Sequence, residues 1–280
     1  HDRWLQRTVS NAGERLGRLR DRVLDTAGLQ RHHVVLDLNA GSGLLTWEIL
    51  RRAPEGGTWA LARDREAGEG LRQQAERLPR LQRPVVLVGE IDELPDLLAL
   101  RGEGELRFDA AVGRGALGPL ADKAQVLRRV AGLLPPGGRL SLAETVVGRS
   151  QRLYGLVDLA SLAEDARRRL VEAEEAIYLE AGDPLINWQA ADLAGALQAG
   201  GFRDVAVEEE VQEDGRLISA ATLDRWFAAQ GEGDRPSYAG HLAGRLSPGE
   251  VGEVEALFRR QLTGQTVPWR TLLVYARGTL

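Results

Sequence analysis

The sequence predicts an α/β protein built on a doubly wound sheet of about seven strands, with helical insertions in its second half. Three observations carry that expectation. Short β-branched apolar runs alternate with helix-compatible segments up to residue 143, the pattern of parallel strands joined by crossover helices. A turn bearing Gly41 and Gly43 separates the run Val34-Val35-Leu36-Asp37-Leu38 from a helical segment. Pro135-Pro136-Gly137-Gly138 ends another helical pattern just before an apolar run, where proline presets the turn and glycine supplies positive φ.

Taken in order, residues 1–30 read as an amphipathic helix with Leu16, Leu19, Val23 and Leu24 on one face, ending near Gly28. Strand 34–38 is bounded by polar residues, as a buried parallel strand should be, and helix 43–53 stops at Pro54. Strand 58–62, helix 64–78, strand 84–88, a loop with a short helix through Leu100, strand 108–112, helix 121–134 and strand 139–143 complete the regular half.

The second half is less periodic. Residues 152–180 read as one helix, with Leu162, Ala166, Leu170, Ala173 and Ile177 on one face. Glu164 with Arg168 and Asp165 with Arg169 pair at i,i+4 on the other, so this arginine run is a solvated face rather than a nucleic-acid patch. A helix at 189–199 ends on Gly200-Gly201, strand 203–211 follows, and 223–229 reads as helical. Ser247-Pro248-Gly249-Glu250 is a capping box with proline at the first helical position, opening a helix that buries Val251, Val254, Phe258 and Leu262. Strand 271–276 closes the chain, and 231–237 is the best candidate for a flexible loop.

Composition narrows the chemistry. With 280 residues, 43% of them apolar, the chain has material for one large α/β domain or a domain with a cap. A net charge of -5 does not support direct nucleic-acid binding through whole-molecule charge, although a local basic strip is compatible with it. No apolar stretch approaches the roughly 20 residues of a membrane span and the start has no signal-peptide core, so no membrane partner and a cytoplasmic location are expected. The absence of Cys removes thiolate chemistry and disulfides, and four scattered His, two of them adjacent at His32 and His33, predict no metal site. The absence of Met suggests a segment of a longer polypeptide or a chain whose first residue is not the native start.

The strand-turn-helix around Gly41 and Gly43 is the most informative local feature. Glycines there allow positive φ and close approach of a ligand, and the next helix presents unpaired N–H groups to an electronegative part of it. Many α/β proteins turn this way for structural reasons alone. Arg114, at the end of strand 108–112, could face an anionic substrate or pair with a surface acid; Glu144, after strand 139–143, is a base or a structural acid. Trp188, Trp226 and Trp269 read as core anchors.

Three stretches, VVLDLNAGSGLLTWEIL at 34–50, VVLVGEIDELPD at 85–96 and FDAAVGRGALGPLADKAQVLRRVAGLLPPGGRLSLAE at 108–144, resemble class I methyltransferases that use S-adenosylmethionine (SAM). The resemblance implies a Rossmann-like doubly wound seven-stranded sheet whose last two strands, 203–211 and 271–276, form an antiparallel hairpin. It implies one methyltransferase-like domain over 1–280: an N-terminal helix at 1–30, a cofactor-binding core at 31–147, helical insertions at 148–186 and 213–268, and 187–212 with 269–280 completing the sheet. The insertions are expected to cap the cofactor edge, their apolar faces being too few for a core of their own. More narrowly, the whole chain resembles the region that follows a clamp-loader-like AAA+ recombination ATPase in some cyanobacterial proteins, which implies a covalently linked ATPase partner.

Residue by residue, the resemblance implies that Asp37, Gly41, Gly43 and Asn39, which replaces the usual first loop glycine, cradle the methionine end of SAM, with Gly113 beside them. Asn tolerates left-handed φ better than most residues. Glu90 stands where an acid often binds the adenine amino group, with Ile91 to pack the ring. The family's ribose-binding carboxylate is replaced by Ala62, and Asp64 lies two places further on, so SAM binding is expected to be weak. The segment Gly113-Arg114-Gly115-Ala116 lacks the motif of enzymes that methylate nucleobase amino groups, leaving the methyl acceptor unassigned. A nicotinamide-dependent oxidoreductase is the nearest enzyme rival, but its fingerprint wants a small residue at Thr46 and an acid for the ribose. The rival from another class is a methyltransferase fold retained as an interaction module with catalysis lost.

Overall fold

The computed structural model describes residues 2–231 and 235–280, with residues 2–12 described by their backbone. In chain order the helices are α1 (Asp2–Ala27), α2 (Leu44–Arg52), α3 (Arg65–Ala75), α4 (Leu94–Leu100), α5 (Lys123–Ala131), α6 (Glu164–Tyr178), α7 (Ala190–Ala199), α8 (Ala220–Trp226), α9 (Tyr238–Leu242) and α10 (Pro248–Leu262). The strands are β1 (Val34–Asp37), β2 (Gly57–Ala62), β3 (Val85–Val88), β4 (Ala110–Arg114), β5 (Arg139–Thr145), β6 (Arg203–Leu217) and β7 (Thr266–Thr279). They form one seven-stranded sheet in the order β3-β2-β1-β4-β5-β7-β6, the mostly parallel, doubly wound arrangement that the alternation of strand and helix predicts.

Five parallel strands make up one side of that order, and β7 adds to β5 antiparallel, Ala143 facing Tyr275. β1 lies at the centre, Val35 registering with Thr58 of β2 and Ala110 of β4. Residues Val35 to Asp37 are fully buried, which is why the run carries no alternation of polar residues. Leu19, Val23 and Leu24 of α1 pack with Val35, Leu45, Ile49 and Val112, and each such burial contributes roughly 1.5–3 kcal/mol. Leu16, expected on that face, is 37% exposed because it lies a turn beyond the cluster.

By chain contacts the protein divides into two compact units, one comprising 1–145, 188–210 and 273–280 and the other 146–187 and 211–272. The second unit has a core of its own, contrary to the expectation that its apolar faces are too few. Leu170, Leu223, Leu242, Leu257 and Phe258 form its buried centre, and Trp226, Phe227 and Trp269 pack against it. Aliphatic residues from α6, α8, α9 and α10 supply most of this core, and the aromatic side chains add area around them.

The expected helix over 152–180 is broken. Residues 153–156 form a 3₁₀ turn instead, because the buried Glu174 carboxylate accepts the backbone N–H groups of Leu153 and Tyr154 and folds the chain back onto α6. Glu174 also accepts the Tyr238 hydroxyl at 2.6 Å, which satisfies both of its oxygens. β6 and β7 run longer than expected, to Leu217 and from Thr266, and the Ile218 N–H closes the ladder on the Gln265 carbonyl at 2.9 Å. The β6 part of that stretch is largely polar, so backbone pairing marks it as strand, while Val267 and Trp269 of β7 pack on the second core. Short α9 was not anticipated; Ser237 caps it by accepting the Gly240 N–H at 3.0 Å. Residues 232–234 of the expected loop lie outside the described residues.

Candidate functional site

Strand order reverses between β1 and β4, so their carboxyl ends flank a crevice of the kind in which open α/β sheets bind ligands. The loop after β1 is held to both neighbours: the Leu38 N–H donates to the Val112 carbonyl at 2.8 Å and the Ala40 N–H to the Leu61 carbonyl at 2.9 Å. Gly41 (φ 52°) and Gly43 (φ 92°) then turn the chain into α2 in left-handed conformations that glycine adopts without strain. The space beside Gly41 is open, with no atom within 4 Å of where a Cβ would stand. Gly43 is covered: the Trp47 indole lies so close that a Cβ would come 2.2 Å from its nitrogen.

Asp37 ends β1 with no exposed surface. Its carboxylate accepts the Thr46 hydroxyl at 2.7 Å and the Asn39 N–H at 3.2 Å, so strand, loop and helix meet on one side chain. Burial pushes its pKa up to about 6 from 3.8, and those hydrogen bonds offset part of the rise. The folded protein therefore holds the proton more tightly than the unfolded chain. Stability is greatest below pH 3.8, falls as pH rises to about 6 and stays lower above it, a change of about 3 kcal/mol from this group. Asn at this position can still accept from Asn39 while donating to the Thr46 oxygen. Urea unfolding of Asp37→Asn between pH 4 and 7 is expected to show that part of the slope removed; an unchanged slope would mean that Asp37 titrates normally.

The side of the crevice nearest β2 differs from the rest. Ala62, the last residue of β2, is fully buried and carries no polar group. Arg63 follows it, and its guanidinium donates to the carbonyls of Gly115 and Ala116, both at 2.9 Å. Since β1 lies between β2 and β4, this side chain spans the carboxyl end of β1. Asn39 adds a second tie, its side-chain amide donating to the carbonyls of Arg114 (2.8 Å) and Gly115 (3.2 Å). Two side chains thus strap the loop after β4 across the crevice.

The other expected site residues are placed as follows. Asp64 is the N-cap of α3, accepting the Ala67 N–H at 2.8 Å, and with Gly41, Ser42 and Glu66 it borders an open cleft of about 360 Å³. Glu90 caps the 3₁₀ turn at 91–93 in a box with Glu93, and Ile91 in that turn is buried. Gly113 is needed within β4 because a Cβ would stand 3.1–3.3 Å from Ala116, Leu142 and Leu38. The Arg114 side chain is exposed at the strand end. Glu144 is buried, and its two oxygens accept the N–H groups of Ala116 (2.8 Å), Leu117 (3.1 Å) and Gly118 (3.1 Å). Burial raises its pKa and the three amides oppose the rise. Lys123 grips the same loop, its ammonium donating to the carbonyls of Gly118 (3.0 Å) and Leu120 (2.9 Å).

Arg63, Thr46, Trp47 and Lys123 are the residues that sequence reasoning missed at this edge. A basic residue directly after Ala62, at the end of a strand, was the available signal for Arg63. Among the described residues no group of three acidic or histidine side chains could hold a metal ion, and no helix is long and apolar enough to cross a membrane.

No protein-family model and no curated protein matches the chain. Solved structures do. A candidate methyltransferase from Bacillus halodurans superposes with a TM-score of 0.52 over 93% of this chain and 97% of its own, at 12% identity. The YcgJ protein of Bacillus subtilis gives 0.50 over 94% and 97%, at 15% identity. A mycolic acid cyclopropane synthase complexed with SAH and CTAB gives 0.50 over 92% and 82%, also at 15% identity. The chain therefore has the Rossmann-like α/β fold of class I methyltransferases.

Proposed function

We propose that this chain is a SAM-dependent methyltransferase whose cofactor crevice, between the carboxyl ends of β1 and β4, is latched by Arg63. The observation that supports it is the loop from Asp37 to Gly43, anchored on a buried carboxylate at the point where strand order reverses, with open space beside Gly41. A fold neighbour was solved with SAH. On this reading Asn39 and Gly41 meet the methionine end, Asp37, Gly43 and Gly113 shape the loop from within, and Ile91 borders the adenine. Asp64 and Glu90 contribute only where their caps leave an oxygen lone pair free. SAM supplies an electrophilic methyl group on a sulfonium, and such a transfer asks the protein chiefly for alignment. Glu144 is not the base, since both oxygens hold the loop after β4; Arg114, exposed at the edge, suits an anionic acceptor.

A second reading has a specific observation behind it. Ala62 in place of an acid, followed by Arg63 across the crevice, is the pattern of a site shut for good, and the chain would then serve as an interaction module, covalently linked to a clamp-loader-like AAA+ recombination ATPase. Calorimetric titration with SAM and with its demethylated product separates the two. The enzyme reading expects weak binding by the parent and roughly 10-fold tighter binding by Arg63→Ala, since releasing the latch costs about 1–2 kcal/mol. Absence of binding by both proteins at millimolar ligand would leave the module.

A further inference from the structure

In the second unit two neighbouring arginines and two stacked indoles lie together. Several of the unit's arginines are neutralised: Arg152 by Glu175, Arg168 by Asp165, Arg169 by Glu250, Arg235 by Asp183, Arg245 by Glu172 and Arg259 by Glu255. Arg216, near the end of β6, and Arg225, on α8, have no carboxylate partner among the described residues, and both are exposed. Partial burial of the Arg216 side chain lowers its pKa, and repulsion from Arg225 adds to the effect. Arg216 lies against the Trp269 ring, 4.2 Å from its centre, and Trp226 stacks on Trp269 at 6.3 Å with 28° between planes. Both indoles keep part of their surface exposed while their inner edges pack on the core.

Like charges placed together repel, so a ligand that brings negative charge to them is attracted. The planar groups narrow the chemistry. Indole and guanidinium planes stack on nucleobases, and neighbouring guanidiniums suit phosphates spaced along a strand. An acidic peptide would use the charges but not the planes. A bilayer would require the indoles to insert, whereas their inner edges are fixed to the core.

We propose that Arg216, Arg225 and the Trp226–Trp269 stack form a binding site for single-stranded nucleic acid, which holds two phosphates on the arginines and bases on the exposed planes. The overall charge of -5 keeps affinity modest and confines attraction to this patch. The site is independent of the crevice at β1 and β4, and its test uses no SAM.

Fluorescence anisotropy of a labelled oligothymidylate about 15 nucleotides long, added to the full chain, reads it directly. Binding is expected at low salt, with a slope of log affinity against log salt near -1.4, the value of about 0.7 for each of two phosphates. Arg216→Glu, at an exposed position, is expected to weaken binding at least about 10-fold without lowering the melting temperature. An abasic strand of equal charge is expected to bind about 10-fold more weakly, since each stacked base contributes at least that factor. The proposal is overturned if the oligonucleotide does not bind at low salt, if Arg216→Glu binds like the parent, or if the abasic strand binds equally. Binding of anionic vesicles with the same arginine dependence, and no binding of the strand, would assign the patch to a membrane surface instead.

Discussion

Ala62→Asp, introduced into Arg63→Ala, is expected to tighten SAM binding by a further 30- to 150-fold or so, about 2–3 kcal/mol. Two neighbouring hydroxyls of a ribose donate to both oxygens of one carboxylate, and charge-assisted pairs of this kind are roughly twice as strong as neutral ones. The end of β2 can present such a group: residue 62 lies at the carboxyl edge, one strand from Asp37, where Ala60 registers with Asp37. Arg63 must be removed first, because a carboxylate at 62 would pair with the adjacent guanidinium and reinforce the strap. Calorimetry on the single and double variants measures the increment, and a double variant no tighter than Arg63→Ala would mean that the ribose does not reach β2.

Glu144→Ala is expected to lower stability by about 3–5 kcal/mol, read from urea unfolding at neutral pH. The side chain is 1% exposed and three backbone N–H groups depend on it; without the carboxylate they are buried donors with no acceptor. Glu144→Gln discriminates. Its oxygen can still accept from Ala116 and Leu117, but its amino group meets the Gly118 N–H donor to donor, so an intermediate loss of about 1–3 kcal/mol is expected. A cost below 1 kcal/mol for Glu144→Ala would show that water or Lys123 alone secures the loop.

Much of this architecture was legible because it is written in local periodicity. The parallel strands, the Pro-Gly-Gly turn before β5 and the Ser247 capping box each depend on residues close in sequence. What was not legible depends on reach. Arg63 finds its acceptors 52 and 53 residues away, two strands over, and no pattern around position 63 announces them. Glu144 stands at the expected edge, but its oxygens turn to amides 26 to 28 residues upstream, which leaves it structural. Glu174 breaks the expected long helix by recruiting amides from residues 153 and 154, a contact that helical periodicity over 152–180 does not reveal. Trp226 and Trp269, core anchors by sequence, pack on the core on one side only.

Lys123 is the sole lysine of the chain, and its ammonium is clasped by two carbonyls of the loop that Arg63 and Glu144 also hold. Burial depresses its pKa, yet an acylating reagent reaches the nitrogen only when those carbonyls let go. Its acylation rate, divided by that of a free amine of matched basicity, is then the fraction of time the loop stands open. Lys123 thus serves as a chemical clock for the loop after β4, readable at its own peptide by mass spectrometry on the unaltered chain.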